Sequence, residues 1–132
     1  MRKMEIARGV INMVEQYFNL DVDITVRPTQ ECLPEDNAYC VTIGEGIYDI
    51  ELHPEFLKNC TEEELVQIMA HEMVHVKQHE LEGLELGVKR HSYQGIWYDP
   101  EDDYWFSPWE IEARGYERAF LAFWNNNWEK FI

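Results

Sequence analysis

Two histidines and a glutamate near the middle of the chain have the spacing of a metal-dependent hydrolase site. In the stretch HEMVH, His71 and His75 lie four residues apart and Glu72 follows the first of them. On a helix this spacing places both imidazoles on one face, where each can direct a nitrogen to the same ion at about 2.0–2.1 Å. Glu72 then flanks the ion, where a carboxylate accepts a proton from metal-activated water and passes it to a leaving amine. The motif predicts zinc-dependent hydrolysis of peptide bonds.

The segment around the motif predicts a helix, which matters because so short a string also arises by chance. Thr61 and Glu64 form a capping-box pattern, and the helix should run from about Glu62 to about Glu80. His79 lies on the same stripe as the two histidines, and the opposite face is apolar. The apolar residues are Leu65, Val66, Met69, Ala70, Met73 and Val76. The alternatives are a surface helix with solvated histidines, or a zinc site without turnover.

The chain before this helix predicts one further helix and three strands. Apolar residues at helical spacing from Met4 to Phe18 indicate an opening helix that covers a sheet. Three runs rich in β-branched residues follow, namely Val22–Arg27, Ala38–Ile43 and Ile47–Leu52. Two glycines between the last two runs predict a hairpin. The last run has one apolar and one mixed face, a pattern that we expect of an edge strand beside a cleft.

The rest of the chain predicts a long loop and a second functional helix. Residues 81–107 are rich in glycine, acidic and aromatic residues, and a loop of this length is usually functional or partly structured. Ser107 as a cap and Pro108 in the first turn then begin a C-terminal helix. We therefore predict one α+β domain over residues 1–132, with a covering N-terminal helix, a small, mostly antiparallel sheet, the HExxH helix and a C-terminal helix.

Composition limits the partners of such a domain. The 132 residues are 45% hydrophobic, enough for a globular core, and carry a net charge of −15 that repels phosphate backbones and anionic lipid. No apolar run is long enough for a membrane span, and no leader is recognisable. Cys32, Cys40 and Cys60 are odd in number and lack C-x-x-C spacing, which favours reduced thiols, although a Cys32–Cys40 link is an alternative. We expect a cytoplasmic protein that acts on a peptide or protein, without nucleic-acid or membrane partners.

The motifs HEMVHVKQH and PWEIEA, whose first glutamate, Glu110, lies 35 residues after His75, resemble those of the gluzincin clan of zinc metallopeptidases. The resemblance is to its minigluzincin-like members and to small bacterial or phage-encoded peptidases, and it covers roughly residues 47–121. In that clan the third zinc ligand is the glutamate of an E-x-x-A-D or E-x-x-S-D pattern, which maps here to Glu110. Ala113 matches this pattern, but Arg114 replaces an aspartate that supports a zinc-binding histidine, and a guanidinium cannot accept that hydrogen bond.

The resemblance implies that His71, His75 and Glu110 hold zinc, and that Glu72 is general base and then general acid. Local pattern leaves the third ligand open. Glu110 also forms a capping-box pattern with Ser107, Glu112 lies nearer the apolar face of its helix, and His79 continues the stripe of histidines.

The resemblance also implies a way to bind substrate. An extended peptide would add to Ile47–Leu52 as the edge strand, and Tyr93, Tyr98 or Tyr104 could stabilise the oxyanion. Two other functions remain open. One is a non-catalytic, zinc-stabilised protein-interaction module. The other is a latent enzyme whose long loop or C-terminal segment, NNNWEKFI, blocks the zinc.

Overall fold

The computed structural model describes residues 2–32, 36–102 and 104–132. Within these residues, four α-helices and six strands form an α+β arrangement, as predicted. In chain order the elements are α1 (Arg2–Phe18), β1 (Asp23–Pro28), β2 (Ala38–Gly44), β3 (Ile47–Leu52), α2 (Pro54–Asn59), α3 (Glu62–Leu81), β4 (Glu85–Leu86), β5 (His91–Tyr93), β6 (Ile96–Tyr98), a 3₁₀ helix (Tyr104–Phe106), α4 (Pro108–Asn127) and a second 3₁₀ helix (Trp128–Lys130).

The start of α3 is fixed by the predicted capping box. The Thr61 hydroxyl accepts a hydrogen bond from the Glu64 backbone N–H at 3.1 Å, and the Glu64 carboxylate accepts one from the Thr61 N–H at 2.9 Å. Two N–H groups that a helix start leaves unpaired are thereby satisfied. The helix ends at Leu81, close to its predicted end. The capping box therefore fixes the residue at which the histidine-bearing helix begins.

The first sheet has the strand order β1-β3-β2, so β3 is its central strand and β2 forms an edge. β2 and β3 are the predicted antiparallel hairpin, with Gly46 at φ +70° in the turn, and β1 pairs parallel to β3. The prediction that Ile47–Leu52 is the edge strand was wrong. The second face of β3 carries polar side chains because Asp49 accepts hydrogen bonds from Thr25 and Arg27 of β1. Side-chain alternation reports which faces of a strand are buried, whereas an edge depends on backbone pairing.

The core lies between one face of this sheet and the helices α1 and α3. Tyr48, Ile50 and Leu52 of β3 point into it, and α1 contributes Ile6, Val10, Met13 and Val14. All six apolar residues predicted for the inner face of α3 are buried. α3 packs against α1 on one side and against α4 on another, and it also contacts β2. Its histidine face is therefore presented between α4 and the edge strand.

Residues 81–107 contain more regular structure than the predicted loop. β4, β5 and β6 form a second, antiparallel sheet, with a tight turn at Gln94 and Gly95, both of which have positive φ. Strands of two or three residues are too short to show a period in the sequence. What anchors them is tertiary packing, because Leu84 and Tyr93 form a small buried cluster with Trp109 of α4.

Two smaller expectations concern the cysteines and membranes. All three thiols are free, so Cys32 and Cys40 are not linked. Within the described parts of the chain, none of the helices combines the length and apolarity that crossing a bilayer requires.

Candidate metal centre

The structure brings together His71, His75 and Glu110, which lie far apart in the sequence. His71 Nε2 is 3.0 Å from one Glu110 carboxylate oxygen, and His75 Nε2 is 3.2 Å from the other. One potential ligand atom from each residue lies within 4.8 Å of the other two. All three side chains are mostly buried. The cluster therefore offers two imidazole nitrogens and one carboxylate around a common point.

Glu110 reaches this point from the first turn of α4. The Ser107 side chain makes no capping hydrogen bond, so the alternative capping-box role for Glu110 is not observed. Instead, α4 begins with Pro108, and the neighbouring Trp109 is buried against β5. This packing holds the first turn of α4 against α3 and points the Glu110 carboxylate towards the histidines.

Each histidine is also held at its other ring nitrogen. His75 Nδ1 is 2.8 Å from the amide oxygen of Gln78, and His71 Nδ1 hydrogen-bonds the carboxylate of Glu117. Both oxygens are acceptors, so each Nδ1 carries a proton and donates it. The partners fix the ring orientations and leave Nε2 as the nitrogen that faces the centre, which is how outer partners prepare a histidine to bind a metal.

Without a metal, protons on His71 and His75 balance the negative charge of the Glu110 carboxylate. Burial alone would lower the pKa of His71, but hydrogen bonds to Glu110 and Glu117 raise it to about 10. His75 is shifted the same way, because its hydrogen bond to Glu110 outweighs burial and raises its pKa. Burial would raise the pKa of Glu110, but the two histidines hold it well below its usual range. A divalent cation bound between the three side chains would take the place of these protons.

Glu112 and His79, the alternative third ligands, face other partners. The Glu112 carboxylate accepts hydrogen bonds from Lys77 at 2.8 Å and from Gln78 at 3.1 Å. His79 Nδ1 lies 2.8 Å from the backbone carbonyl of Leu84. Two residues along a helix correspond to a rotation of about 200°, so Glu110 and Glu112 cannot present their carboxylates to one point.

Glu117 and Gln78 are site residues that the sequence reasoning missed. Glu117 lies seven residues, or two helical turns, after Glu110 and shares its face of α4. This seven-residue spacing could have indicated that Glu117 lies on the same side of α4 as Glu110. The resemblance directed attention to position 114 instead, where Arg114 hydrogen-bonds the backbone carbonyl of Trp105 and contacts neither histidine. Gln78 follows His75 by three residues and is fully buried.

Glu72 lines the cavities that flank the cluster. Its side chain is largely buried, with 8% of the residue exposed, and burial raises the pKa of its carboxyl, whereas His75 and His71 lower it. A cavity of about 200 Å³ is lined by Glu72, His75 and Glu110, and one of about 370 Å³ by His71 and Glu72. Tyr104 lines both cavities. Glu72 and Tyr104 therefore stand where the two cavities meet.

These cavities belong to a longer groove along the sheet edge. A third cavity, of about 590 Å³, follows β2 and shares Tyr39, Cys40, His79 and Leu86 with the 200 Å³ cavity. The 370 Å³ cavity continues past Ala38 to Asp36 at the other end of β2. We call this channel, from Asp36 to Gly44, the β2 groove. It passes the histidine–glutamate cluster and extends beyond Glu72 on both sides.

The structure ranks the three tyrosines considered for the oxyanion. Tyr93 donates a 2.6 Å hydrogen bond to Glu82, and the Tyr98 ring packs on Trp109 with centroids 5.3 Å apart. Only Tyr104 of the three lines the groove at the cluster. Tyr104 is 59% exposed as a whole residue, but partial burial of its hydroxyl, the negative charge of Glu110 and a hydrogen bond to Glu110 raise its pKa. The hydroxyl therefore stays protonated and donates to Glu110 in this structure.

The C-terminal segment packs away from the groove. A Cβ added at Gly9 of α1 would lie 2.7 Å from the Trp124 ring and 3.2 Å from both Ile132 and the Phe131 carbonyl. None of residues 125–132 lines the groove. The C-terminal blockage that the latent-enzyme alternative considers is therefore not observed among the described residues.

Comparison with models of protein families gives a match to a peptidase family. Residues 12–95 match the model of peptidase family M48, which is more than half of the chain. The matched part runs from within α1 to just after β5 and includes His71, Glu72 and His75, but it ends before Glu110. No curated protein and no solved structure matches the chain.

Proposed function

The chain belongs to peptidase family M48, a family of metal-dependent peptidases, and from that premise we propose that it is a zinc-dependent peptidase of the gluzincin type. The observation that carries the proposal is the convergence of His71 Nε2 and His75 Nε2 on the Glu110 carboxylate. His71, His75 and Glu110 are the proposed metal ligands, and Glu72 is the proposed catalytic base.

The donor set suits zinc. Two imidazole nitrogens and one carboxylate are the protein ligands of many catalytic zinc sites, which keep a further position open. Both Nδ1 atoms are occupied by Gln78 and Glu117, so the Nε2 atoms are the ones free to bind. A zinc ion held there would supply Lewis-acid chemistry, polarising the scissile carbonyl and lowering the pKa of water.

Glu72 is positioned to move the proton. Its carboxylate lines both cavities at the cluster, so it faces the point where the scissile bond must lie. It takes a proton from the attacking water and then delivers it to the nitrogen of the leaving amine. Glu72 is largely buried, and burial raises the pKa of its carboxyl, which favours keeping the proton there between the two transfers.

Tyr104 is the proposed donor to the oxyanion. Its protonated hydroxyl, which donates to Glu110 in this structure, belongs to the short 3₁₀ helix before α4, and Tyr104 lines the same two cavities as Glu72. A hydrogen bond to the developing negative charge stabilises the transition state more than the substrate, which is what catalysis requires.

The β2 groove indicates how a substrate is held. β2 is an edge of the sheet, so an extended peptide can pair with its backbone. β2, from Ala38 to Gly44, spans about 20 Å at about 3.3 Å per residue. Since the groove continues on both sides of Glu72, we propose an endopeptidase that acts on extended segments and not on chain ends.

The decisive test replaces the proposed base. Glu72→Gln should keep zinc and fold and lose peptide cleavage, because an amide retains the shape but accepts no proton. The measurements are zinc content by elemental analysis and cleavage of an unfolded protein or peptide library. Cleavage at the wild-type rate by Glu72→Gln would contradict the assignment.

The same experiment addresses the interaction-module alternative. A wild-type protein that binds zinc tightly but cleaves no member of the library would favour that alternative. The open groove beside the cluster instead favours an enzyme, because a purely structural zinc site has no need for access from solvent.

A further inference from the structure

Arg114 occupies a position that, by resemblance, carries an acidic residue next to a zinc-binding histidine. In this chain the acidic partner of His71 is Glu117, one turn further along α4. Support of His71 therefore does not require an acidic residue at position 114. Arg114 instead binds a different part of the site.

Arg114 holds the 3₁₀ helix that carries Tyr104. Its guanidinium donates a hydrogen bond to the Trp105 backbone carbonyl, and its Cζ lies 4.6 Å from the centre of the Trp105 ring. One side chain thus binds both the backbone and the ring of the same residue. A planar guanidinium can donate at its edge and stack through its face, which an ammonium group cannot do.

The side chains of the 3₁₀ helix are largely exposed. Tyr104, Trp105 and Phe106 are 59%, 62% and 75% exposed, and a 3.2 Å backbone hydrogen bond from Ser107 to Tyr104 closes the turn. A short segment with exposed side chains is ordinarily mobile. The contacts of Arg114 with Trp105 tie this segment to α4, the helix that also carries Glu110.

From these contacts we propose that Arg114 is a positioning residue that, by holding Trp105, places the Tyr104 hydroxyl against the reacting carbonyl. The proposal rests on the proposed peptidase function and adds a residue to it. Arg114 and Glu110 lie one turn apart on α4, so a single helix fixes both the proposed metal ligand and the oxyanion donor. The positions of Glu110 and Tyr104 relative to each other would then be set by α4 and its contacts and not by a free loop.

A double-mutant cycle tests this dependence. Tyr104→Phe should lower kcat about 100-fold, the usual order for loss of one oxyanion donor. Arg114→Ala should lower kcat by about tenfold or more with little change in KM, and it should have almost no further effect in the Tyr104→Phe background. Arg114→Lys, which keeps the charge but not the planar stack, should restore only part of the loss.

The control is Arg118→Ala, which removes the same charge from an exposed position one turn further along α4. It should leave kcat unchanged. Independent losses in the Arg114→Ala and Tyr104→Phe variants, multiplying in the double variant, would overturn the proposal, as would an equal loss in Arg118→Ala.

A second readout does not need activity. In metal-free protein, amide hydrogen exchange at Trp105, Phe106 and Ser107 should be faster in Arg114→Ala than in wild type, and zinc affinity measured by competitive titration should be unchanged. Unchanged exchange would overturn the positioning role. If wild-type protein cleaves no peptide, the proposed function fails, while this exchange measurement still decides whether Arg114 holds the turn.

Discussion

His71 and His75 are the same residue type, one turn apart on one helix, yet the structure holds them by different means. His75 is held by Gln78, a neutral and fully buried side chain three residues further along α3. His71 is held by Glu117, a charged side chain on α4 that is 28% exposed. One partner belongs to the same helix and the other comes from across a helix interface.

The difference separates what α3 provides alone from what requires the folded domain. The His75–Gln78 contact spans three residues, so it can form as soon as α3 forms. The His71–Glu117 contact exists only when α4 has docked. Gln78 is tied to α4 as well, because its amide N–H donates to the Trp109 carbonyl at 2.8 Å and to Glu112. Docking of α4 therefore completes the support of both rings.

The largest loss of zinc affinity should come from replacing Glu110, which both histidines contact. Glu110→Ala removes a proposed ligand, so zinc affinity should fall by more than the 10- to 100-fold that is typical for loss of an outer partner. Glu112→Ala and His79→Ala should stay within or below that range. Competitive zinc titration compares the three. Loss of zinc in Glu112→Ala or His79→Ala, with retention in Glu110→Ala, would rule out the proposed ligand set.

The two outer partners should differ in which substitutions rescue them. Glu117→Ala and Gln78→Ala should each weaken zinc binding about 10- to 100-fold. Glu117→Gln should restore most of the affinity, since an amide oxygen also accepts from Nδ1. Gln78→Glu should not, because it buries a second carboxylate against Glu112 and removes the N–H donor to Trp109. Equal rescue at both positions would show that the two histidines are held alike.

A smaller effect concerns protons. The pKa of His71 is raised to about 10, so near pH 8 its Nε2 is protonated and zinc must displace that proton. Zinc binding at pH 8 should release about one proton from His71, with a further contribution from His75, and Glu117→Gln should reduce the release. Calorimetry in buffers of different ionisation enthalpy measures it.

The same pKa shift sets a pH dependence in the absence of metal. A raised pKa means that the folded form of His71 binds its proton more tightly than the unfolded form. The stabilisation is complete below the ordinary value of about 6.5 and is lost as the pH rises through about 10. Metal-free protein should therefore unfold more easily in urea at pH 10 than at pH 7, and Glu117→Gln should flatten the difference.

The smallest effect on the metal should come from the helix start. Thr61→Ala removes one half of the capping box and should lower the free energy of unfolding by about 1 kcal/mol. Zinc affinity should hardly change, because the cap lies more than two turns from His71. Urea denaturation and zinc titration of the same variant test both statements. A large loss of zinc would mean that the cap, and not the outer partners, orients the rings.

Much of the site was predictable because it depends on local spacing. His71, Glu72 and His75 are fixed by the period of one helix, and Thr61 and Glu64 mark where that helix begins. The hairpin of β2 and β3 was equally local. The elements whose geometry involves neighbours in sequence therefore appeared in the structure close to where the pattern placed them.

The remaining features depend on contacts between distant segments. The edge of the sheet is β2 because β1 pairs on the far side of β3, and no pattern within β3 reports that pairing. Glu117 reaches His71 across 46 residues, and β5 is anchored by Trp109 of α4. Glu110 was indicated by resemblance, while local periodicity pointed mildly to Glu112. In the structure α4 is oriented so that Glu110 faces the histidines and Glu112 faces Lys77 and Gln78.

An exposed strand edge also invites a second copy of the chain. β2 offers the same backbone groups to a substrate and to another β2, and pairing of two edges is a common route to self-association. Two features oppose it. The register shift between Thr42 and Gly44 interrupts regular pairing near the end of the strand, and a net charge of −15 makes copies repel one another. This repulsion would keep the β2 edges of different copies apart, and high salt, which screens it, should promote association of copies through β2.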